Sequence, residues 1–104
     1  MFIYVEVHRP KPEYRHELIA AMNRVRLEAL GTPGLKEIGP WTESDDGTKV
    51  VGMSMWESRA HWERRSPEVF KLWWDAPVDF WAAAPVERML LDDAGAFPAD
   101  AMER

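Results

Sequence analysis

At 104 residues, 46% of them apolar, the chain has the length of one domain built on a single core. Thirteen basic against eighteen acidic side chains leave a formal charge of −5, and no stretch gathers Lys or Arg beyond Arg64-Arg65. That balance argues against nucleic acid and membrane as partners. Cysteine is absent, which excludes disulfides, thiolate nucleophiles and thiolate metal sites, and a cytoplasmic location is expected.

The segment Phe2 to His8 alternates in the manner of a strand, with Ile3, Val5 and Val7 on one face and Phe2, Tyr4, Glu6 and His8 on the other. It has neither the basic start nor the unbroken apolar run of a secretory leader. Arg9-Pro10-Lys11-Pro12 ends the strand in a turn, because two prolines remove ladder donors. From Glu13 the spacing becomes helical, placing Tyr14, Leu18, Ala21, Met22, Val25 and Ala29 on one stripe, with Pro12 in the first turn and Gly31 as the stop. Thr32-Pro33-Gly34 then turns into a strand over Leu35 to Glu43, broken near Gly39-Pro40 as an edge or a bulge.

Asp45-Asp46-Gly47 signals a hairpin, and Lys49 to Trp56 is the returning strand. Ser58 caps a short helix over Arg59 to Arg65, and Ser66-Pro67 opens a second segment that Asp75-Ala76-Pro77 kinks or restarts. Ala82-Ala83-Ala84-Pro85 leads into a last strand, Val86 to Leu91. The chain therefore divides into one domain over residues 1–92 and a polar tail over 93–104.

This order defines an α+β fold of ferredoxin-like β-α-β-β-α-β type, an antiparallel sheet with both helices on one face. The opposite face is left bare. A wet face would alternate cleanly, yet Val51, Met53 and Met55 oppose the apolar side of the returning strand, and the first strand is apolar on both sides. A second copy packed on that face is the expected cover, giving a homodimer with a two-fold β core.

Thr32-Pro33-Gly34, Trp56-Glu57-Ser58 with Ala60-His61, Ser66-Pro67, and Pro85-Val86-Glu87 follow one another along the chain. Their order and spacing resemble the antibiotic biosynthesis monooxygenase family of the dimeric α/β barrel superfamily. The resemblance implies a cofactor-independent monooxygenase that acts on a small aromatic, quinol or polyketide-like compound with O₂ and uses no cofactor. It also implies a pocket Asn near a Trp, whereas the one Asn of this chain is Asn23, on the first helix. The haem-degrading branch is similar around Val69-Phe70-Lys71 but carries an axial His where this chain has Trp73-Trp74-Asp75, which argues against haem.

Seven of the twelve aromatic residues lie between Trp56 and Trp81. Trp56 ends a strand, and Trp62, Phe70, Trp73 and Trp74 lie on the helical stretch that covers it. Such rings either line a slot for a flat substrate or fill an ordinary core. His61 starts a helix beside Trp62 and is a candidate base or donor, with Trp56 close by; a solvent-facing helix start is the plainer account. His8 points the same way as Glu6, which makes an acid–base pair if a pocket opens there and a mere strand end if not. His8, His16 and His61 show no ligand spacing, so no metal is expected.

The leading reading is thus an enzyme with His61, Trp56 and His8 as the catalytic set and Trp62, Phe70, Trp73 and Trp74 as the substrate-binding set. The competing reading is a non-catalytic dimeric domain that binds a small molecule or serves in stress. A third is an isomerase or decarboxylase using the same slot without oxygen.

Overall fold

The computed structural model describes residues 1–93, so the tail expected over 93–104 falls, but for Asp93, outside the described residues. Strand β1 (Phe2–Pro10) leads through a 3₁₀ turn at Pro12–Tyr14 into helix α1 (Arg15–Ala29). Strands β2 (Leu35–Ile38), β3 (Thr42–Glu43) and β4 (Val50–Trp56) follow, then helix α2 (Arg59–Phe70), a 3₁₀ turn at Lys71–Trp73, the short helix α3 (Val78–Trp81) and strand β5 (Ala82–Asp92). The strands form one antiparallel sheet in the order β2-β4-β1-β5, with β3 also on β4. This is the ferredoxin-like arrangement.

Strand β1 sits inside the sheet, and its register decides what shares a face. Phe2, Tyr4, Glu6 and His8 pair with Trp56, Ser54, Gly52 and Val50 on β4, and Phe2, Tyr4 and Glu6 pair with Asp92, Leu90 and Arg88 on β5. These positions face the helices. The stripe expected on α1 is the face that α1 buries: Leu18, Ala21, Met22, Val25 and Ala29. Phe2 and Trp56, both all but inaccessible, meet Val25, Ala29 and Val69 in the main core. Each large side chain there contributes roughly 2–3 kcal/mol by leaving water.

Ile3, Val5 and Val7 lie on the other face with Met55, Met53 and Val51 of β4, and with Leu91 and Met89 of β5 beside Ile3 and Val5. On this face Val5 and Val7 are buried, whereas Met89 and Leu91 at the β5 edge are exposed.

Three boundaries differ from the sequence reading. Strand β1 continues to Pro10 and β5 begins at Ala82, because register shifts between Val7, Arg9 and Pro10 absorb the missing donors of Pro10 and Pro85. Helix α2 runs through Ser66-Pro67 without restarting. Ser66 and Val69 are buried on it while Pro67 faces solvent, and that packing offsets the one hydrogen bond the proline forfeits. Gly39-Pro40 does break the second strand, into β2 and β3.

Candidate active site

Strand pleating places Tyr4, Glu6 and His8 in a row on the helix face, two residues apart. His8 is buried, and its Nε2 lies 3.0 Å from Glu6 Oε2. The ring of Trp73 covers it, with centroids 6.3 Å apart and planes 26° from parallel. Tyr4 stacks on Trp62 at 5.5 Å, meets Phe70 edge-on at 5.7 Å, and its hydroxyl accepts from Arg88 Nε at 3.0 Å.

The electrostatics follow from this row. Burial pushes the Glu6 carboxyl up, but the hydrogen bond and charge of His8, helped by Tyr4 and Arg88, bring it below its ordinary value. Glu6 is therefore ionised and only accepts, so the hydrogen shared by the two residues is carried on His8 Nε2. Burial and the Glu6 charge hold the Tyr4 hydroxyl protonated far above the ordinary tyrosine value.

Two spaces adjoin this row. The inner one, lined by Trp41, Trp56, Trp62 and Val69 over Gly52, has a volume of only about 50 Å³. That is room for about three or four waters and for no flat aromatic. A Cβ on Gly52 would stand 3.1 Å from the terminal methyl of Met22 and 3.5 Å from Trp41, so a side chain on the floor of this slot requires Met22 to move by a few tenths of an ångström. The outer space is a cleft of about 560 Å³ between the sheet and the 76–80 segment. Glu6, His8 and Arg88 line it on the sheet side and Phe70, Trp73, Pro77, Asp79 and Phe80 on the helical side. Its volume is that of an ordinary small-molecule site.

Of the residues singled out in the sequence, His8, Phe70 and Trp73 line both spaces, and Trp56 and Trp62 line the inner one. Trp56 is core, its Nε1 donating to Ser54 Oγ at 3.0 Å. His61 and Trp74 line neither. His61 belongs to the start of α2: its amide donates to Ser58 Oγ at 3.2 Å, its Nδ1 lies 2.7 Å from that oxygen, and its Nε2 lies 3.3 Å from Glu57. Trp74 is 90% exposed, turned away by the 3₁₀ turn that aims Trp73 inward. Asn23 stands outside the spaces but accepts from Trp41 Nε1 at 2.9 Å.

Tyr4, Arg88 and Trp41 were not singled out as site residues. Tyr4 shares the strand face of Glu6 and His8, which the alternation shows. Arg88 and Trp41 come to the site by strand register and by a loop, and no local spacing signals either.

Among the described residues no group of acidic or histidine side chains has the geometry of a metal site, and no helix is long and apolar enough to cross a membrane.

No family model matches the chain, and no curated protein matches it. Solved structures do. Rv0793 from Mycobacterium tuberculosis superposes with a TM-score of 0.74 at 23% identity, over 94% of this chain and 97% of that one. A Nitrosomonas europaea protein assigned as an antibiotic biosynthesis monooxygenase gives 0.76 at 18% identity, over 91% and 100%. The monooxygenase ActVA-Orf6 of Streptomyces coelicolor, in complex with nanaomycin D, gives 0.64 at 24% identity, over 93% and 90%. The chain has the fold of the antibiotic biosynthesis monooxygenases, and at these identities the likeness establishes fold alone.

Proposed function

We propose that the chain is a member of the antibiotic biosynthesis monooxygenase family and a cofactor-independent oxygenase of a flat aromatic, quinol- or polyketide-like compound. The observation that carries this reading is the couple of buried His8 and half-buried Glu6 at 3.0 Å on the sheet side of an aromatic-walled cleft. His8 is the base and Glu6 fixes its tautomer. The substrate lies against Phe70, Trp73 and Phe80 and loses a proton from a phenol or an activated ring CH₂ to His8. The resulting carbanion or phenolate gives its electrons to O₂. One oxygen atom enters the ring carbon as a carbonyl, the other leaves as water, and the substrate itself supplies all the electrons. That a structure of the same fold holds the ligand nanaomycin D supports a small-molecule ligand.

The chain acts as a homodimer, its bare sheet face covered by a twin, and works in the cytoplasm. The non-catalytic reading uses the same cleft and differs in one outcome, since ligand would bind without oxygen being consumed.

Oxygen uptake with a panel of hydroquinones and anthrones tests the proposal. The wild type should consume O₂ with at least one of them, His8→Ala should lower the rate about 10²–10⁴-fold, and His61→Ala should stay close to wild type. No uptake with any compound, or uptake that survives His8→Ala, overturns it.

A further inference from the structure

We propose that the outer cleft selects flat hydroxyaromatic compounds that bear a carboxylate, with Arg88 holding the carboxylate and His8 facing the hydroxyl. This rests on the cleft being the substrate site and adds the chemical class of what it takes.

Three charged side chains line the cleft: Glu6, Asp79 and Arg88. Glu6 already has His8 as its partner at 3.0 Å. Arg88 donates its Nε to the Tyr4 hydroxyl, a neutral acceptor; Glu6 stands across the strand pair and its charge is felt by Arg88, but the Arg88 Nη groups make no hydrogen bond among the described residues. The Nη donors of a permanently charged fork are thus left for whatever enters the cleft. Such a fork matches a carboxylate with two parallel hydrogen bonds.

Asp79 belongs to α3, on the helical side of the cleft, and fixes the direction of the ligand by repelling its anionic end toward the sheet. Two acids and one cation leave the lining net negative, so any hold on a carboxylate comes from the Arg88 fork alone, and a phosphate dianion is repelled more strongly still.

Register sets the span. Arg88 lies directly across from Glu6 and its Nε reaches the Tyr4 hydroxyl, while His8 is two residues beyond Glu6 on β1, so the guanidinium and the imidazole flank Glu6 along the strand. A hydroxyl and a carboxylate at opposite ends of one or two fused rings span that row. Phe70, Trp73 and Phe80 supply the apolar contact for the rings.

The test is anaerobic calorimetric titration of the full chain with 6-hydroxy-2-naphthoate, its methyl ester and 2-naphthol. The acid should bind about tenfold or more tightly than either neutral compound, the effect of a charge-assisted hydrogen-bond pair. Arg88→Gln should bring the three affinities together, and Arg88→Lys should restore part of the preference. Neutral compounds binding as tightly as the acid to wild type overturn the inference, and so does a preference that persists in Arg88→Gln. Should Arg88→Gln fail to fold, the acid-to-ester ratio in wild type decides alone. Oxygen uptake with neutral hydroquinones but no carboxylate preference would overturn this inference and leave the oxygenase reading standing. A carboxylate preference without any oxygen uptake would do the reverse.

Discussion

An imidazole buried on a strand needs a polar partner, and His8 finds one two residues back, on the same side of the pleat, in Glu6. The pair has a consequence for stability. Glu6 titrates lower in the folded chain than in the unfolded one, so on the acid side the unfolded state binds the extra proton. Its contribution is whole above the unfolded carboxyl value of about 4.3 and is lost as pH falls through the lower folded value. Urea midpoints of wild type should therefore fall more steeply below about pH 4.3 than those of Glu6→Gln, which should itself cost about 1–3 kcal/mol at neutral pH. Equal slopes for the two proteins would mean that the carboxylate is not held by His8. Alternation alone showed that Glu6 and His8 share a face. That Trp73 rather than Trp74 covers them was not legible, because adjacent residues of a 3₁₀ turn point apart and spacing does not say which points inward.

The elements were legible to the extent that one period governed them. The α1 stripe and the β1 alternation name the buried residues of the structure, whereas prolines misled at Pro10, Pro67 and Pro85, since register shifts and side-chain packing tolerate them where local propensity does not. His61 illustrates the same limit. Its place at the start of α2 was visible, but the turn before β2 that occupies its ring was not. Gly34 has φ +85°, and a Cβ built there would lie 2.7 Å from His61. Gly34→Ala should accordingly lower stability by about 1–2 kcal/mol or more, read as a drop in Tm, and His61→Ala should relieve part of that loss. A Gly34→Ala protein as stable as wild type would contradict this contact.

At the scale of the whole molecule, one sheet face carries the helices and the cleft while the other carries Ile3, Met53, Met55, Met89 and Leu91, of which Met89 and Leu91 are exposed. Light scattering should give a mass near two chains. Met89→Glu with Leu91→Glu should shift it toward one chain without unfolding, because both side chains are already exposed in a single chain. A wild-type mass of one chain would remove the homodimer from the account.

The aromatic richness between Trp56 and Trp81 was plain in the sequence, but its division was not. Trp56 and Trp62 close an inner space too small for a ring system, and Phe70, Trp73 and Phe80 wall a cleft large enough for one. The central claim, that a flat aromatic lies in that cleft against His8, is tested most directly by a crystal structure of the protein soaked without oxygen in 1,4-naphthohydroquinone. The account predicts a planar ligand between Phe70 and Phe80 with an oxygen in hydrogen-bond reach of the His8 ring. A ligand seated elsewhere, or a cleft that stays filled with water at saturating concentration, would contradict it.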